Sequence, residues 1–338
     1  MKKINRLSRF YCTMAAGLFF SSAVFAQGSK MQVIKTFHIA SAGGWDYIAV
    51  GPGNNRLYVS HGTQVNILNE TTGDSVGVIP NTTGVHGIAF APSLGKGYTS
   101  NGRLNNITVF DLKSNQVLGQ IGAGQNPDAI MYDDYSKMII TCNGRSNDLS
   151  FIDPVTEKLV ATVAVGGKPE TAVSDGHGKV YVNIEDKNEI VVVNTKTNAV
   201  ENRWPIAPAE GPTGLAIDRA TKRLFAGCDK KMAVIDYTTG KVIATPAIGD
   251  GCDGVAFDNN TKNIFASCGE GKLTVIHEDG AGKFTLTANI ITKKSARTIA
   301  VNETLHSIYL PAADMGTPAP GERRAPMLPG TFQILVVQ

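Results

Sequence analysis

The sequence lacks the motifs by which many enzymes and nucleic-acid-binding proteins are identified. It contains no Cys-x-x-Cys-His haem-attachment motif, and only 18% of its 338 residues are charged. Its longest basic feature outside the N-terminus is the pair Lys293-Lys294 with Arg297 close by. Neutralising a phosphate backbone requires clustered Lys and Arg, so nucleic-acid binding is not expected. No nucleophile–base–acid set and no highly specific metal-ligand motif is evident in the sequence.

Long apolar runs are equally scarce. The only one is residues 15–26, which is too short to span a bilayer comfortably. Four basic residues and no acidic residue precede or lie within it, and it ends Ala-Val-Phe-Ala before Gln27. This pattern predicts a secretory signal peptide over residues 1–26 and a periplasmic or secreted mature chain without a transmembrane segment. Without the signal, 28 Lys and Arg balance 29 Asp and Glu.

What the sequence does contain is an internal repeat. An apolar triplet recurs seven times with a spacing of 40 to 44 residues, at 48–50, 88–90, 130–132, 172–174, 215–217, 255–257 and 299–301. This period is typical of a β-propeller blade. Each unit contains four short segments with strand-like alternation, and such a unit must stack on its neighbours to bury its apolar residues.

The two ends of the chain together supply the four strands of the seventh repeat. The seventh repeat supplies strands only at 297–302, 307–311 and 331–337, whereas 33–39 matches the fourth strand of an earlier repeat at 242–248. The sequence therefore predicts an all-β fold, a seven-bladed β-propeller of four-stranded antiparallel blades. The N-terminal strand, within residues 32–40, completes the last blade and hides two strand edges. Residues 27–338 are expected to form this single domain.

The strand cassettes Lys179-Val180-Tyr181-Val182-Asn183 and Arg56-Leu57-Tyr58-Val59-Ser60 resemble those of the YVTN-repeat β-propellers, the YncE-like group of exported bacterial proteins. The resemblance covers essentially the whole mature chain. It implies a seven-bladed propeller and export, but it implies little about activity because the motif residues are structural. Similar propellers include surface-layer repeats, lactonase-type enzymes and haem- or quinone-associated domains, and no lactonase catalytic set is recognisable to carry over.

Candidate site residues come from positions where the repeats differ. The position two before each triplet should lie at the mouth of the axial channel, and its occupants are Asp46, His86, Asp128, Glu170, Thr213, Asp253 and Arg297. A second ring should follow strand two and includes Asn143. We expect residues of both rings to bind a ligand, and the seven residues of the first ring are here called the mouth ring. The alternative is that they only cap turns.

A divalent cation is the cofactor that the ring residues suggest. His61 and His86 belong to adjacent blades, and Asp46 should lie nearby. Two imidazoles and a carboxylate suit a divalent transition metal. Coincidental placement of the two histidines is the alternative.

The cysteines allow a disulfide. Cys252 precedes the sixth triplet, while Cys228 and Cys268 occupy equivalent strand ends in blades five and six. An exported protein meets an oxidising compartment, so Cys252 could pair with either Cys228 or Cys268. Buried free thiols are the alternative.

One loop differs from its counterparts in the other repeats. Residues 312–330 of the seventh repeat are rich in Pro, which excludes helix and central strand. Long loops in compact folds are usually functional or disordered. The loop should project beside the mouth ring, where Arg323 and Arg324 could bind ring carboxylates or an anionic ligand. An uninvolved loop is the alternative.

Three functions remain open from the sequence. The leading hypothesis is an exported binding or interaction protein that recognises a small ligand or a protein partner on the loop face at the channel mouth. The second is a lactonase-like hydrolase or an isomerase with a cation near Asp46, His86, Asp128 and Glu170. The third is a scaffold of the cell envelope.

Overall fold

Seven four-stranded antiparallel sheets form the protein, as the period of the repeats predicts. The structure, a computed structural model, describes residues 31–280, 282–318, 321 and 325–338. The predicted signal peptide lies outside these residues. Within them, no helix is long and apolar enough to cross a membrane.

Each blade begins with its innermost strand and ends with its outermost. Blade 1 holds β2 (Trp45–Val50), β3 (Arg56–His61), β4 (Gln64–Asn69) and β5 (Ser75–Ile79). Blade 2 holds β6 (Val85–Ala91), β7 (Lys96–Asn101), β8 (Asn106–Asp111) and β9 (Val117–Gly122). Blade 3 holds β10 (Pro127–Asp133), β11 (Met138–Asn143), β12 (Asp148–Asp153) and β13 (Lys158–Ala164). Blade 4 holds β14 (Pro169–Ser174), β15 (Lys179–Ile184), β16 (Glu189–Asn194) and β17 (Ala199–Pro205).

The remaining blades follow the same order. Blade 5 holds β18 (Leu215–Asp218), β19 (Arg223–Gly227), β20 (Met232–Asp236) and β21 (Lys241–Ala244). Blade 6 holds β22 (Cys252–Asp258), β23 (Asn263–Cys268), β24 (Lys272–Gly280) and β25 (Lys283–Ile291). Blade 7 holds β26 (Ala300–Asn302), β27 (Ser307–Ala312) and β28 (Gln333–Val337), and its fourth strand is β1 (Val33–His38).

The ring is closed by the first strand, which confirms the prediction. β1 pairs antiparallel with β28, with Phe37 opposite Ile334. Outside the strand, the amide of Gln32 donates to the carbonyl of Gln338 at 2.8 Å. This pairing satisfies backbone groups of both chain ends and joins the last blade to the start of the chain.

The core lies between the blades. The second strand of each repeat carries one large apolar side chain about ten residues after the triplet, and these side chains pack against the adjacent blades. They are Tyr58, Tyr98, Ile140, Tyr181, Phe225, Phe265 and Tyr309, each at most 2% exposed. The outermost strands instead alternate between exposed and partly buried residues, as expected for half-solvated edges.

Polar contacts also join neighbouring blades at the face opposite the mouth ring. Ser174 of blade 4 donates to Asp133 of blade 3 at 2.5 Å. Lys262 of blade 6 contacts Asp218 of blade 5 at 3.2 Å. These carboxylates stand at the ends of the innermost strands β10 and β18, a position in the repeat that lies at a boundary between blades.

The innermost strands approach so closely that Gly214 should not tolerate a side chain. A Cβ there would lie 2.6 Å from the backbone nitrogen of Val255 and 2.8 Å from the carbonyl carbon of Gly254. We expect Gly214→Ala to lower the free energy of unfolding by about 1–3 kcal/mol, because the blades must move apart. Thermal melting measures the effect. Gly122→Ala on β9, where a Cβ meets open space, should change the melting temperature little.

Candidate functional site

The mouth ring lines one cavity of about 840 Å³ at the end of the axial channel. All seven of its members face that cavity, one from each blade: Asp46, His86, Asp128, Glu170, Thr213, Asp253 and Arg297. Each stands at, or just before, the start of an innermost strand. The repeat register therefore brings together residues that are up to 251 positions apart in the chain.

Tyr47 forms the inner end of the cavity. It belongs to blade 1 but packs against the core cluster of blades 3 and 4, which includes Ala129 and Val182. Its ring must therefore lie in the axial channel. Burial raises the pKa of its phenol well above the ordinary value, and the nearby charges of Asp128 and Asp46 raise it further. The cavity is thus a pocket with a neutral phenol at its inner end.

Asp46, His86 and Asp128 form one polar cluster of the cavity. His86 Nδ1 lies 2.6 Å from Asp46 Oδ2 and 3.8 Å from Asp128 Oδ1. One ligand atom from each residue lies within 4.8 Å of the other two. Two carboxylates and an imidazole are a common donor set for divalent transition metals, so these residues could hold such an ion.

The protonation of this cluster reflects its burial. Burial, opposed by the charge of His86 and assisted by the carboxylates Asp46 and Asp253, raises the pKa of Asp128 to about 6. Burial alone would lower the pKa of His86, but the hydrogen bond to Asp46 and the charge of Asp128 outweigh it. The pKa of His86 is therefore raised, and a bound cation would have to displace protons from the cluster.

Arg297 balances part of the negative charge. Its guanidinium contacts Asp253 Oδ2 at 2.9 Å and Asp46 Oδ1 at 3.3 Å. Because the ring closes between blades 7 and 1, a residue near the end of the chain binds one near its beginning. This pairing holds Asp46 in place beside His86.

A second charged cluster forms the opposite side of the cavity. Lys168 Nζ lies 2.6 Å from Glu170 Oε1 and also hydrogen-bonds to Glu185. Burial raises the pKa of Glu170 to about 8, and the charge of Asp128 contributes, although Lys168 opposes the shift. The sequence analysis did not select Lys168, which lies two positions before the ring residue in Gly166-Gly167-Lys168-Pro169. Its sequence signal is a cation in a Gly/Pro turn, at a repeat position where the other six repeats have Gly, Asn or Ser.

His61 does not join the metal-binding cluster. Its Nε2 lies 2.7 Å from the carbonyl oxygen of Gly43, and its Nδ1 lies 2.5 Å from Ser41 Oγ. The imidazole ring of His61 also packs on Phe332, with 4.2 Å between the two ring centroids. Burial lowers the pKa of His61, so the imidazole is a neutral structural group. Asp128 occupies the place in the cluster that the sequence analysis gave to His61.

Two further predictions concern Asn143 and the pair Arg323 and Arg324. Asn143 is buried and donates to Asp148 Oδ1 at 2.7 Å and to Ser150 Oγ at 2.9 Å, and it is not among the residues that line the cavity. Its role in this structure is to connect strands. Arg323 and Arg324 lie outside the described residues.

The long loop of blade 7 contributes to the cavity, on the side where the sequence analysis placed it. Met315 pairs with Met327 in an isolated antiparallel bridge, and both line the cavity together with Ala325. Asp314 at the base of the loop binds Lys293 at 2.7 Å. The cavity therefore has an apolar rim beside its charged interior.

One of the four cysteines among the described residues lines the cavity. Cys252 lines the cavity and lies opposite Cys268 in the β22–β23 pair. Cys228 belongs to another core cluster, between blades 4 and 5. These three and Cys142 are buried free thiols in this structure.

Buried Glu170 should make the stability of the cation-free protein depend on pH. Its pKa is raised from 4.5 to about 8, so the folded state keeps a proton that the unfolded chain releases. This stabilisation is complete below the lower value and is lost as the pH rises through the upper one, at up to about 1.4 kcal/mol per pH unit. In melting curves at several pH values after chelator treatment, Glu170→Gln should flatten the dependence. Glu185→Gln, which removes the other partner of Lys168, should retain it, and equal slopes in all three proteins would contradict the assignment.

The geometry thus defines a seven-bladed β-propeller with a charged cavity at one end of its channel. Among solved structures, the chain is similar to one described as Kuenenia stuttgartiensis hydrazine synthase, with a TM-score of 0.71 and 15% sequence identity. The alignment covers 81% of this chain and 94% of that one. At this identity the similarity establishes the fold alone. No protein-family model and no curated protein sequence matches the chain.

Proposed function

We propose that this protein is an exported binding protein, a YncE-like propeller of the YVTN-repeat type, that takes a small polar ligand together with a divalent cation in the mouth cavity. The observation that carries the proposal is the convergence of one mouth-ring residue from every blade on a single cavity. A propeller fold suits binding, because a rigid scaffold presents variable residues at one face. The periplasm or the extracellular space is the compartment that the N-terminal sequence predicts.

The size and shape of the cavity favour a small molecule over a protein partner. Its volume of about 840 Å³ falls within the range of small-molecule sites. Tyr47 lies at its inner end, so the ligand would enter and leave by the mouth. The apolar rim formed by Met315 and Met327 would contact a less polar part of the ligand.

The charge of the cavity favours a cation. Among the described residues that line the cavity, Lys168 and Arg297 carry full positive charge, whereas six supply carboxyl groups: Asp46, Asp128, Glu170, Glu185, Asp229 and Asp253. A divalent cation at Asp46, His86 and Asp128 would relieve this excess and would polarise a ligand oxygen.

Calorimetric titration of the chelator-treated protein with Zn²⁺ and Mn²⁺ tests the proposal. We expect saturable binding of one ion per chain and a higher melting temperature in its presence, because an ion that binds only the folded state stabilises it. The affinity should fall as the pH drops through neutrality, because protons compete first for His86, whose pKa is raised above its ordinary value, and then for Asp128 below about 6. Absence of saturable binding by either ion would refute the cation component of the proposal.

A hydrolase or isomerase is the second candidate, and the raised pKa of Glu170 favours it. With a pKa of about 8, this carboxyl group is protonated at neutral pH and could donate a proton to a substrate held in the cavity. A screen of lactones with the metal-loaded protein tests this candidate. Activity that Glu170→Gln abolishes while cation binding is retained would favour the enzyme over the binding protein.

A further inference from the structure

Cys252 and Cys268 occupy a position in the sheet where a disulfide fits. They lie directly opposite each other on β22 and β23. The amide of Gly269 donates to the carbonyl of Gly251 at 2.8 Å, which places this flanking pair at a hydrogen-bonded position and the two cysteines at a non-hydrogen-bonded one. The Cα atoms of such pairs are about 4.5 Å apart, and disulfides span Cα separations from about 4.4 Å.

Cys228, the alternative partner from the sequence, faces the other way. A Cβ on Gly227 would lie 2.6 Å from Cys252 Sγ, so the face of blade 5 that contacts Cys252 is the one on which Gly227 lies. Successive residues of a strand point to opposite faces. Cys228 accordingly packs with Tyr181 and Ile190 of the preceding blade, and the backbone of blade 5 separates it from Cys252.

We propose that Cys252 and Cys268 are a redox-active pair that forms a cross-strand disulfide in the wall of the mouth cavity. The oxidant is a disulfide compound, either a small molecule or a protein of the thiol-oxidoreductase class. Two cysteine thiols are oxidised to one disulfide, and the external disulfide is reduced to two thiols that take up the two protons.

The two sulfurs have different roles. Cys252 lines the cavity and is 6% exposed, whereas Cys268 is fully buried. Exchange with an external disulfide therefore begins at Cys252, where it forms a mixed disulfide and releases one thiolate. Cys268 Sγ then attacks Cys252 Sγ, forms the internal bond and expels the second thiolate. The hydrogen bond between the two thiols lowers the pKa of Cys268, which agrees with a resolving role for this residue. The same bond and burial raise the pKa of Cys252 well above its ordinary value, so the first exchange is the slower of the two steps.

The bond would act on the site because Cys252 is next to a mouth-ring residue. Its carbonyl accepts a hydrogen bond from the Thr213 hydroxyl at 2.6 Å, and Asp253 follows it in the chain and binds Arg297 at 2.9 Å. Joining Cys252 to Cys268 fixes the first residue of β22 to the neighbouring strand. The oxidised state therefore holds Asp253 and Arg297 more rigidly than the reduced state.

Peptide mapping of the wild-type protein tests the pairing directly. The full-length chain is incubated with oxidised glutathione, its remaining thiols are blocked, and it is digested with trypsin without reduction. Lys262 lies between the two cysteines, so cleavage separates peptides 242–262 and 263–272, and the Cys228 peptide is 224–230. We expect peptides 242–262 and 263–272 to be linked, with the linked species lacking two hydrogens relative to the sum. Linkage of 224–230 to 242–262, or blocked thiols at both positions, would overturn the proposal.

Thermal melting supplies a second measurement with matched variants. Oxidation should raise the melting temperature of the wild type by several degrees, since the bond closes a loop in the unfolded chain. Cys252→Ser and Cys268→Ser should remove this redox-dependent shift, and Cys228→Ser should retain it. A shift that persists in Cys268→Ser would overturn the proposal. The mapping uses no variant and no added metal, so its result is independent of whether the cavity binds a cation.

Discussion

Asp128→Asn and His86→Ala are expected to lower the affinity of the protein for a divalent cation by about a hundredfold or more. Each substitution removes one of three donor groups that lie within 4.8 Å of one another. Loss of groups that only support metal ligands already costs about 10–100-fold, and loss of a ligand itself should cost at least as much. Asp46→Asn should act in the same way, because Asp46 both offers a ligand atom and hydrogen-bonds to His86 at 2.6 Å.

Asp253→Asn is the matched control for these variants. It removes one negative charge from the same cavity, but its carboxylate is paired with Arg297 and lies outside the cluster. Titration with Zn²⁺ should therefore show a loss of less than about tenfold, which reflects long-range attraction alone. If Asp253→Asn and Asp128→Asn weaken binding equally, the cavity attracts cations only through its net charge and the cluster is not a specific site.

Removal of the first strand should have the largest effect on stability. Deleting residues 33–39 would leave β28 with an unpaired edge and would open the ring between blades 7 and 1. The apolar cluster there, which includes Phe37, Ile39 and Ile334, would lose part of its cover. We expect the truncated protein to lose cooperative thermal unfolding or to melt far below the wild type, and an unchanged cooperative transition would refute the role of this strand.

Two point variants on the same strand refine that test. Phe37 is 4% exposed, and Phe37→Ala should cost about 3–5 kcal/mol, as is usual for a buried aromatic side chain. Ile34 is 50% exposed, and Ile34→Ala should change the melting temperature little. A similar loss of stability in both variants would mean that β1 contributes through its backbone pairing and not through burial of Phe37.

The fold could be predicted from the sequence because the strands of a blade are close together in the chain. The apolar triplets and the large residues that follow them, such as Tyr58 and Tyr181, recur at one period, and the structure buries those side chains between blades. The strand missing from the seventh repeat, and its counterpart at residues 33–39, also followed from the pattern. Alternation within strands and repetition between units are both properties of the chain itself.

The site could be predicted from the sequence only in part. The mouth ring followed from the position of its members relative to the triplets, and the structure places all seven around one cavity. His61 was assigned to the metal cluster because it lies near the same face, yet its imidazole is buried one strand further out against Gly43 and Ser41. Lys168 and Tyr47 were missed, although each is an exception at its position in the repeat. Tyr47 stands where the other repeats have Gly, Ala or Thr, and Lys168 stands where they have Gly, Asn or Ser.

The sequence by itself determined the number of blades, their strands, the closure by β1 and the seven residues of the mouth ring, but not Tyr47 or Lys168. Only the tertiary structure decided which of those residues touch: His86 with Asp46 and Asp128, Arg297 with Asp253, and Cys252 with Cys268 and not Cys228. The physical reason is that strand position depends on local alternation and period. Contacts across the channel and between blades depend instead on distances that the closed ring sets between residues far apart in the chain.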